Sequence, residues 1–407
     1  VKKFYPTDDL VTGPDIIFFW VARMIMAGLY FKNEVPFKNV YFNGIIRDSQ
    51  GRKMSKSLGN SPDPLDLINS YGADSLRVGL LLIAPQGSDI LYSEDKVEHG
   101  RNFINKLWNS ARFILMNVEE LDPELPVTED LHLTDKWILS KLNNSIESIE
   151  KQYADYKLNE VIKTMYEFVY DYFCDWYIEF TKTRFYGDNK KDKKIAEAVS
   201  IHVLKNVLQL LHPFIPHATE EIWSFLKNKK STLLINHKMV HLNKKLIDDK
   251  IEYDINIIIK AITAMRNIKA NLSIPPGQLI NIEVRGPEDE TNIIKDNINL
   301  LNRIAKIEKI NVGETLQKPT QSATAVVNKM EIFIPLKGLI DIDKEVERLK
   351  KQVEDMNGRL SAIYRKLDNP NFVDRAPKEV VSHEQNKKIN YEDTLKKLKN
   401  NLQSLME

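Results

Sequence analysis

From Ile342 to Leu367, apolar residues recur in alternating steps of four and three: Ile342, Val346, Leu349, Val353, Met356, Leu360, Ile363 and Leu367. That repeat puts them on one stripe of a helix, and only a second stripe can cover it. Asn369-Pro370-Asn371 breaks the pattern, and Tyr391, Leu395, Leu398, Leu402 and Leu405 resume it. Two such helices joined by a moderate connection are expected to pair antiparallel. The first would reach about 40 Å at ~1.5 Å per residue. An arm of that reach adds little to a compact core and suits contact with something large.

The remaining sequence has room for several cores in its 407 residues. Residues 1–93 alternate short apolar strands and helices, with a strand-to-helix turn at Thr12-Gly13-Pro14-Asp15 and a helix from about Ile16 to Gly28. The apolar run Ile16–Phe31 contains Arg23, is short for a membrane span, and is expected to be a buried helix. Val40-Tyr41-Phe42 is expected as a buried strand, and Pro62-Asp63-Pro64 opens a helix that Gly72 stops. Residues 94–232 carry amphipathic helices with short connections, which predicts a bundle, with a polar loop at Gly187–Lys194. Residues 233–338 mix a helix near Asp254–Ala270 with four short strand candidates, a small α+β unit, and 339–407 form the hairpin. The fold class is therefore multidomain: an α/β part, a helical bundle, a small α+β unit and a C-terminal antiparallel coiled-coil hairpin.

Fifty-eight basic residues nearly cancel 57 acidic ones, so no global field advertises nucleic acid and any RNA contact must come from local patches. The single cysteine, Cys174, excludes internal disulfides and a cysteine-rich zinc site, and fits a reducing cytosol. Its aromatic surroundings predict a buried, inert thiol. No signal peptide opens the sequence, and a first residue other than Met suggests a start inside a longer protein.

Chemistry concentrates in Gly51-Arg52-Lys53-Met54-Ser55-Lys56-Ser57-Leu58-Gly59-Asn60. Such a segment makes a poor core, because Lys53 and Lys56 would be desolvated without partners. A loop of this kind is most often a solvated turn. It can also close over a triphosphate, where two ammonium groups and small hydroxyls meet the charge that develops as pyrophosphate leaves. It lacks the spacing of a Walker loop.

Lys53-Met54-Ser55-Lys56-Ser57 matches, letter for letter, the signature of class I aminoacyl-tRNA synthetases. Essentially the whole chain resembles the C-terminal part of valyl-tRNA synthetases, a class Ia family. The carriers are Pro6-Thr7 through Met24, the signature loop extended to Asp74, Leu211-His212-Pro213-Phe214-Ile215-Pro216 with Glu220, Glu221 and Trp223, and the terminal hairpin. Isoleucyl and leucyl enzymes are the near rivals. Bacterial-type isoleucyl enzymes commonly carry a cysteine-ligated zinc near the C-terminus, where this chain has no cysteine. A non-catalytic tRNA-binding or scaffold protein derived from such an enzyme is the other alternative.

The resemblance implies the second half of a Rossmann-like catalytic domain over 1–93 and an anticodon-binding bundle over 94–232. It implies a small junction unit over 233–338 and a tRNA-binding arm over 339–407. Lys53 and Lys56 would act on the ATP phosphates with Met54, Ser55 and Ser57, and Asn43-Gly44 would lie near adenine, where many relatives have His-Gly. Gly13, Asp15, Ile16 and Trp20 would line the pocket for the aminoacyl-adenylate. The residues alone allow plain helix packing for Ile16 and Trp20, and an N-terminal helix carboxylate for Asp15. Substrates would be valine, ATP with Mg2+ and tRNA(Val), for a cytoplasmic monomer with no protein-bound metal.

Arg101, Asn102, Asn105, Lys106 and Arg184 are the basic and amide candidates for tRNA, as are the lysines Lys190, Lys191, Lys193 and Lys194. Charge runs of this kind are more often solvated faces. No His-x-Gly-His occurs among the eight histidines, and the editing domain of the family is missing. The chain is therefore expected not to activate valine unaided.

Overall fold

The computed structural model describes residues 3–84, 87–226, 232–369, 372 and 378–406. It divides into two compact units, Val1–Glu252 and Tyr253–Glu407. Pro370 and Asn371, and the side chains of Lys56 and Leu405, lie outside the described residues.

The first unit opens with β1 (Thr7–Thr12), which pairs parallel with β2 (Phe37–Phe42), Thr7 facing Phe37 and Thr12 facing Phe42. A parallel pair needs a crossover. It is supplied by a 3-10 turn at Pro14–Ile16, π-helical turns at Ile17–Val21 and α1 (Ala22–Lys32). A second parallel pair, β3 (Ile46–Arg47) with β4 (Ile90–Leu91), is spanned by α2 (Pro64–Tyr71) and α3 (Ala73–Leu82). The Asp63 carboxylate caps α2, accepting from the Leu65 N–H at 2.8 Å.

One expectation is overturned here. The apolar run Ile16–Phe31 is helical but not buried: Phe18 is 85% exposed and Tyr30 83%, with Phe19, Trp20, Met26 and Phe31 also open. A two-stranded sheet offers one small surface, so only residues such as Val21 and Gly28 find cover. Helical periodicity reports that a face is apolar and cannot report whether the same chain covers it. Among the described residues, Pro14–Lys32 is the one helical stretch long and apolar enough to cross a membrane by length and composition. The strand expected to be buried, Val40–Phe42, is half-buried for the same want of neighbours.

The α/β part is seated directly on the bundle. A Cβ on Gly79 of α3 would lie 2.8 Å from the Lys96 carbonyl oxygen, and one on Gly100 would lie 2.4 Å from the Ser75 carbonyl oxygen. Lys96 and Gly100 belong to α4 (Glu94–Asn117), so two helix backbones touch where no side chain fits. Two polar anchors reinforce the contact. Asp74, 6% exposed, accepts from the Ala218 N–H at 2.7 Å. Arg77 donates to the carbonyls of Pro213 and Phe214, both at 2.9 Å.

The bundle continues through α5 (Leu133–Ala154) and α6 (Leu158–Glu167). The π-helical turns Phe168–Tyr177 then run into α7 (Ile178–Phe185), followed by α8 (Lys190–Leu211) and α9 (Pro216–Leu226). Its core holds Phe103, Leu107, Ile114, Trp137, Phe168, Phe173 and Tyr177, each under 2% exposed. Cys174 is buried, which pushes its thiol up to about 11 and makes it a poor nucleophile. The expected loop at 187–194 is half helix, because the Asn189 side chain accepts from the Lys191 and Asp192 amides and starts α8 early.

Arg184 is a correction of a different kind. It is 6% exposed, and its guanidinium is spent inside the bundle. Two bonds of 2.7 and 2.8 Å reach both oxygens of Asp135, itself fully buried. Another of 2.6 Å reaches Asp192, and Tyr177 donates to Asp135 at 2.8 Å. A buried arginine so engaged offers nothing to RNA.

In the second unit, α10 (Asp249–Asn271) leads to β5 (Ile280–Arg285), α11 (Glu288–Asp296) and α12 (Ile298–Ala305). β6 (Ile307–Gly313), β7 (Ser322–Val327) and β8 (Met330–Pro335) complete a sheet of order β6-β5-β8-β7, parallel only between β5 and β6. The two short helices of this unit have no counterpart in the sequence reading. Lys269, 4% exposed, donates to the Gln278 and Ala305 carbonyls at 2.7 and 2.9 Å, tying α10 to the end of α12.

Finally α13 (Ile342–Leu367) packs on α14 (Lys378–Met406). All eight apolar positions of α13 are buried or half-buried. Lys366 meets Glu384, and Tyr364 donates to Glu392. Partners run in opposite order, so the helices lie side by side in opposite directions.

Breaking the Arg184–Asp135 pair should be costly, since it strands a buried carboxylate. Arg184→Met is expected to lower the unfolding free energy by about 3–5 kcal/mol, read from urea unfolding. Asn102→Ala on the exposed face of α4 should change it by less than about 0.5 kcal/mol. A loss below ~1 kcal/mol for Arg184→Met would show that the pair does not hold α5 to α7.

Candidate functional site

Two stretches converge at the carboxyl ends of the parallel strands, where open α/β sheets place their ligands. The Asn43 N–H, just past β2, donates to the Thr12 carbonyl, the last residue of β1, at 3.0 Å. Gly13, Pro14, Asp15 and Ile16 follow directly, with Asp15 exposed and Ile16 half-buried. Trp20 is 59% exposed. The Asn43 amide leans back on the Gly44 carbonyl at 3.3 Å. A Cβ at Gly44 would stand 2.0 Å from the Ser88 carbonyl oxygen, so this position accepts no side chain. Behind it Asp89 accepts from the Ile45 N–H at 3.1 Å and pairs with Arg47.

β3 then delivers the Lys/Ser loop, and its stem is heavily bonded. Asp48 is 8% exposed. Its Oδ1 accepts from the Gln50 and Arg52 amides at 3.0 and 2.8 Å. Its Oδ2 accepts from Arg52 Nε at 2.8 Å and Asn60 Nδ2 at 2.9 Å. The Asn60 bond first, then those from Arg52 and Gln50, outweigh desolvation and hold the carboxyl at about 2, below its ordinary 3.8. Asn60 turns back into the loop, accepting from the Ser55 N–H at 3.0 Å and donating to the Lys53 carbonyl at 3.4 Å. Arg47 and Lys53 form a single antiparallel bridge.

Above this stem the tip is open. Lys56–Leu58 is one 3-10 turn, flanked by Gly51 at φ +77° and Gly59 at φ +62°, backbone that side chains disfavour. The Ser55 and Ser57 hydroxyls stand 3.1 Å apart, and Lys53 is exposed, with no ion pair among the described residues. The tip therefore presents hydroxyls and an unspent ammonium on a fixed base. No hydrogen bond or ion pair joins this loop to the 13–20 stretch among the described residues. Nor is any group of three or more His, Cys, Asp or Glu placed there to hold a metal ion.

On α4, Asn102 and Asn105 are exposed. Arg101 is engaged with Glu98 at 2.7 Å and lies over the Tyr71 ring. Lys106 is spent on Asp175 at 2.6 Å and on the Tyr170 ring. The lysine would have to leave both partners to meet a phosphate. Asn60 closes the stretch that the sequence singles out, but Asp48 lies outside it, and the bond between the two was not foreseen. The readable signal was Asp48-Ser49-Gln50-Gly51, an aspartate opening a turn three residues before a glycine.

Three sequence families match. Residues 1–93 match tRNA synthetases class I (I, L, M and V), 135–284 match the anticodon-binding domain of tRNA ligase, and 341–406 match the valyl tRNA synthetase tRNA binding arm. A valine–tRNA ligase of Listeria innocua is 41% identical over 96% of this chain and 44% of its own length. One from Fusobacterium nucleatum is 40% identical over 99% of this chain and 46% of its own. The chain thus spans somewhat less than half the length of these curated relatives. Among solved structures, LeuRS of Agrobacterium radiobacter K84 in a ternary complex superposes with a TM-score of 0.49 at 20% identity, covering 61% of this chain and 30% of that one.

Proposed function

Because this chain belongs to the valine–tRNA ligase family of class I tRNA synthetases, we propose that it supplies the loop that drives valine activation together with the surfaces that hold tRNA(Val). The observation that carries this reading is the open tip on a bonded stem. Lys53 is exposed, and Ser55 and Ser57 face each other over a base that Asp48 and Asn60 hold.

In the reaction so assigned, a valine carboxylate oxygen attacks the α-phosphorus of ATP. The bond from that phosphorus to the bridging oxygen breaks, and pyrophosphate leaves with the electron pair. Negative charge grows on the departing oxygens. The ammonium groups of Lys53 and Lys56 and the serine hydroxyls meet it there, so catalysis rests on placement and charge. Magnesium accompanies the triphosphate as part of the substrate. The 2′- or 3′-hydroxyl of the terminal tRNA adenosine then takes the acyl group and AMP departs. Thr12–Ile16 and Asn43-Gly44 lie at the strand ends, where the adenylate would rest.

The four-part division at 93, 232 and 338 belongs to the same reading. Residues 1–93 form the second half of a Rossmann-like fold, and the bundle meets the anticodon loop. The last two helices act as an antiparallel coiled-coil arm on the body of the tRNA. On the bundle, Asn102 and Asn105 remain available for RNA, Arg101 and Lys106 would first have to leave their partners, and Arg184 is withdrawn. The exposed face at Phe18, Phe19 and Trp20 is a surface that other parts of the full enzyme cover.

Two outcomes are expected. In an enzyme that joins this chain to the rest of the catalytic fold, Lys56→Ala should lower kcat for valine-dependent ATP–pyrophosphate exchange by about 10²–10³-fold. KM for valine should stay within about threefold, because the lysine acts on developing charge. An unchanged rate would remove the loop from the chemistry and leave a tRNA-binding protein. The chain on its own should show no valine-dependent exchange, and exchange above background would show that the uncovered face lacks nothing the reaction needs.

A further inference from the structure

A buried carboxylate, Asp48, joins both ends of the signature loop. Asp48 precedes the loop and Asn60 closes it, and one bond of 2.9 Å links them across 12 residues. Asn60 spends its oxygen on the Ser55 amide at 3.0 Å and its amide on Asp48 and the Lys53 carbonyl. Asp48 thus reaches, through Asn60, the backbone on both sides of Met54. The Ser55 hydroxyl in turn accepts from the Leu58 N–H at 3.3 Å, which shapes the tip turn.

We propose that Asp48 is a positioning residue for this loop, acting through Asn60 to set where Lys53, Ser55 and Ser57 stand when the triphosphate is cleaved. This rests on the phosphate-binding role proposed above. The physical case is polarity. Asp48 is acceptor-only and four donors converge on it: two backbone amides, a guanidinium and the Asn60 amide. With four bonds on two oxygens, the stem has one arrangement and not several. Between stem and tip, Gly59 at φ +62° lets Lys56–Leu58 move while the base stays fixed. A misplacement on the order of 1 Å at such a base is enough to cost about 10²-fold in rate.

Asp48→Asn keeps the shape and turns one acceptor into a donor that faces the Asn60 amide. Asn60→Asp puts two carboxylates face to face. The double variant, Asp48→Asn with Asn60→Asp, restores a donor opposite an acceptor in that one bond with direction reversed and leaves an acceptor for the Ser55 amide. It also sets an amide against Arg52 Nε and a carboxylate against the Lys53 carbonyl. Each variant is placed in the enzyme that contains this chain with the rest of the catalytic fold. The measurements are valine-dependent ATP–pyrophosphate exchange, hydrogen exchange at the Ser55 and Leu58 amides, and the melting temperature.

Each single variant should lower kcat by about 10²-fold with KM for valine within about threefold, and should speed exchange at both amides. The double variant should recover part of both losses, because the bond between positions 48 and 60 returns while the Arg52 and Lys53 contacts do not. Either variant serves if the other does not fold, because each breaks the same bond from one side. The proposal is overturned if single variants leave kcat unchanged, or if the double variant shows no recovery in a protein that melts like the parent. If amide protection and kcat follow the swap while Lys56→Ala leaves the exchange rate intact, Asp48 still positions the loop and the lysine's part in the phosphate reading fails instead.

Discussion

The seating of α3 on α4 is the contact on which the first unit depends. Helix backbones approach this closely only where side chains are absent, and Gly79 and Gly100 supply that absence on opposite sides. Either glycine enlarged to alanine would drive a methyl into a carbonyl oxygen that has no room to retreat. Asp74 and Arg77 add direction to the contact, one taking the Ala218 amide and the other the carbonyls before α9. The consequence is mechanical. The α/β part that carries the Lys/Ser loop and the bundle assigned to RNA are one packed body, so a load on one bears on the other.

Polar groups inside that body are arranged by the same economy of acceptors and donors. Asp135, buried at the start of α5, is satisfied by Arg184, Tyr177 and the His132 amide. Such a pair contributes little net energy relative to an apolar core, but each member holds the other in place once both are buried. Asp48 is a smaller version of this logic at the edge of the α/β part, where the satisfied carboxylate shapes a loop and not a core. In both places a buried acidic group decides the geometry of the groups bonded to it.

The uncovered face of the 14–32 helix follows from a different constraint. Burial needs two surfaces, and the sheet under this helix has only β1 and β2 to offer. Phe18, Phe19, Trp20, Tyr30 and Phe31 together form an apolar area that a free-standing soluble domain rarely shows. The chain spans 44–46% of the length of the relatives it matches, and cover for this face from another part of a longer enzyme belongs to the function proposed above.

Much of this was legible along the chain. The seam of α13 runs over the residues that the four-three spacing marks, because a helix with one apolar stripe has one way to hide it. The signature loop could be read from Lys53 to Ser57, because those residue types in that order have few structural uses. Asp63, Pro64 and Gly72 announce where α2 starts and stops, because caps act within a turn of the chain. What distance along the chain concealed was partnership. Arg184 looks like a free cation until Asp135, 49 residues earlier, is found beside it. Lys106 looks like a phosphate contact until Asp175 and Tyr170 claim it. The run from Ile16 looks like core until its far side is found bare. Local sequence carries propensity, capping and periodicity, which act over a few residues. Which buried charge meets which, and which apolar face is covered, depends on folding distant segments into one volume, and these were the points that needed coordinates.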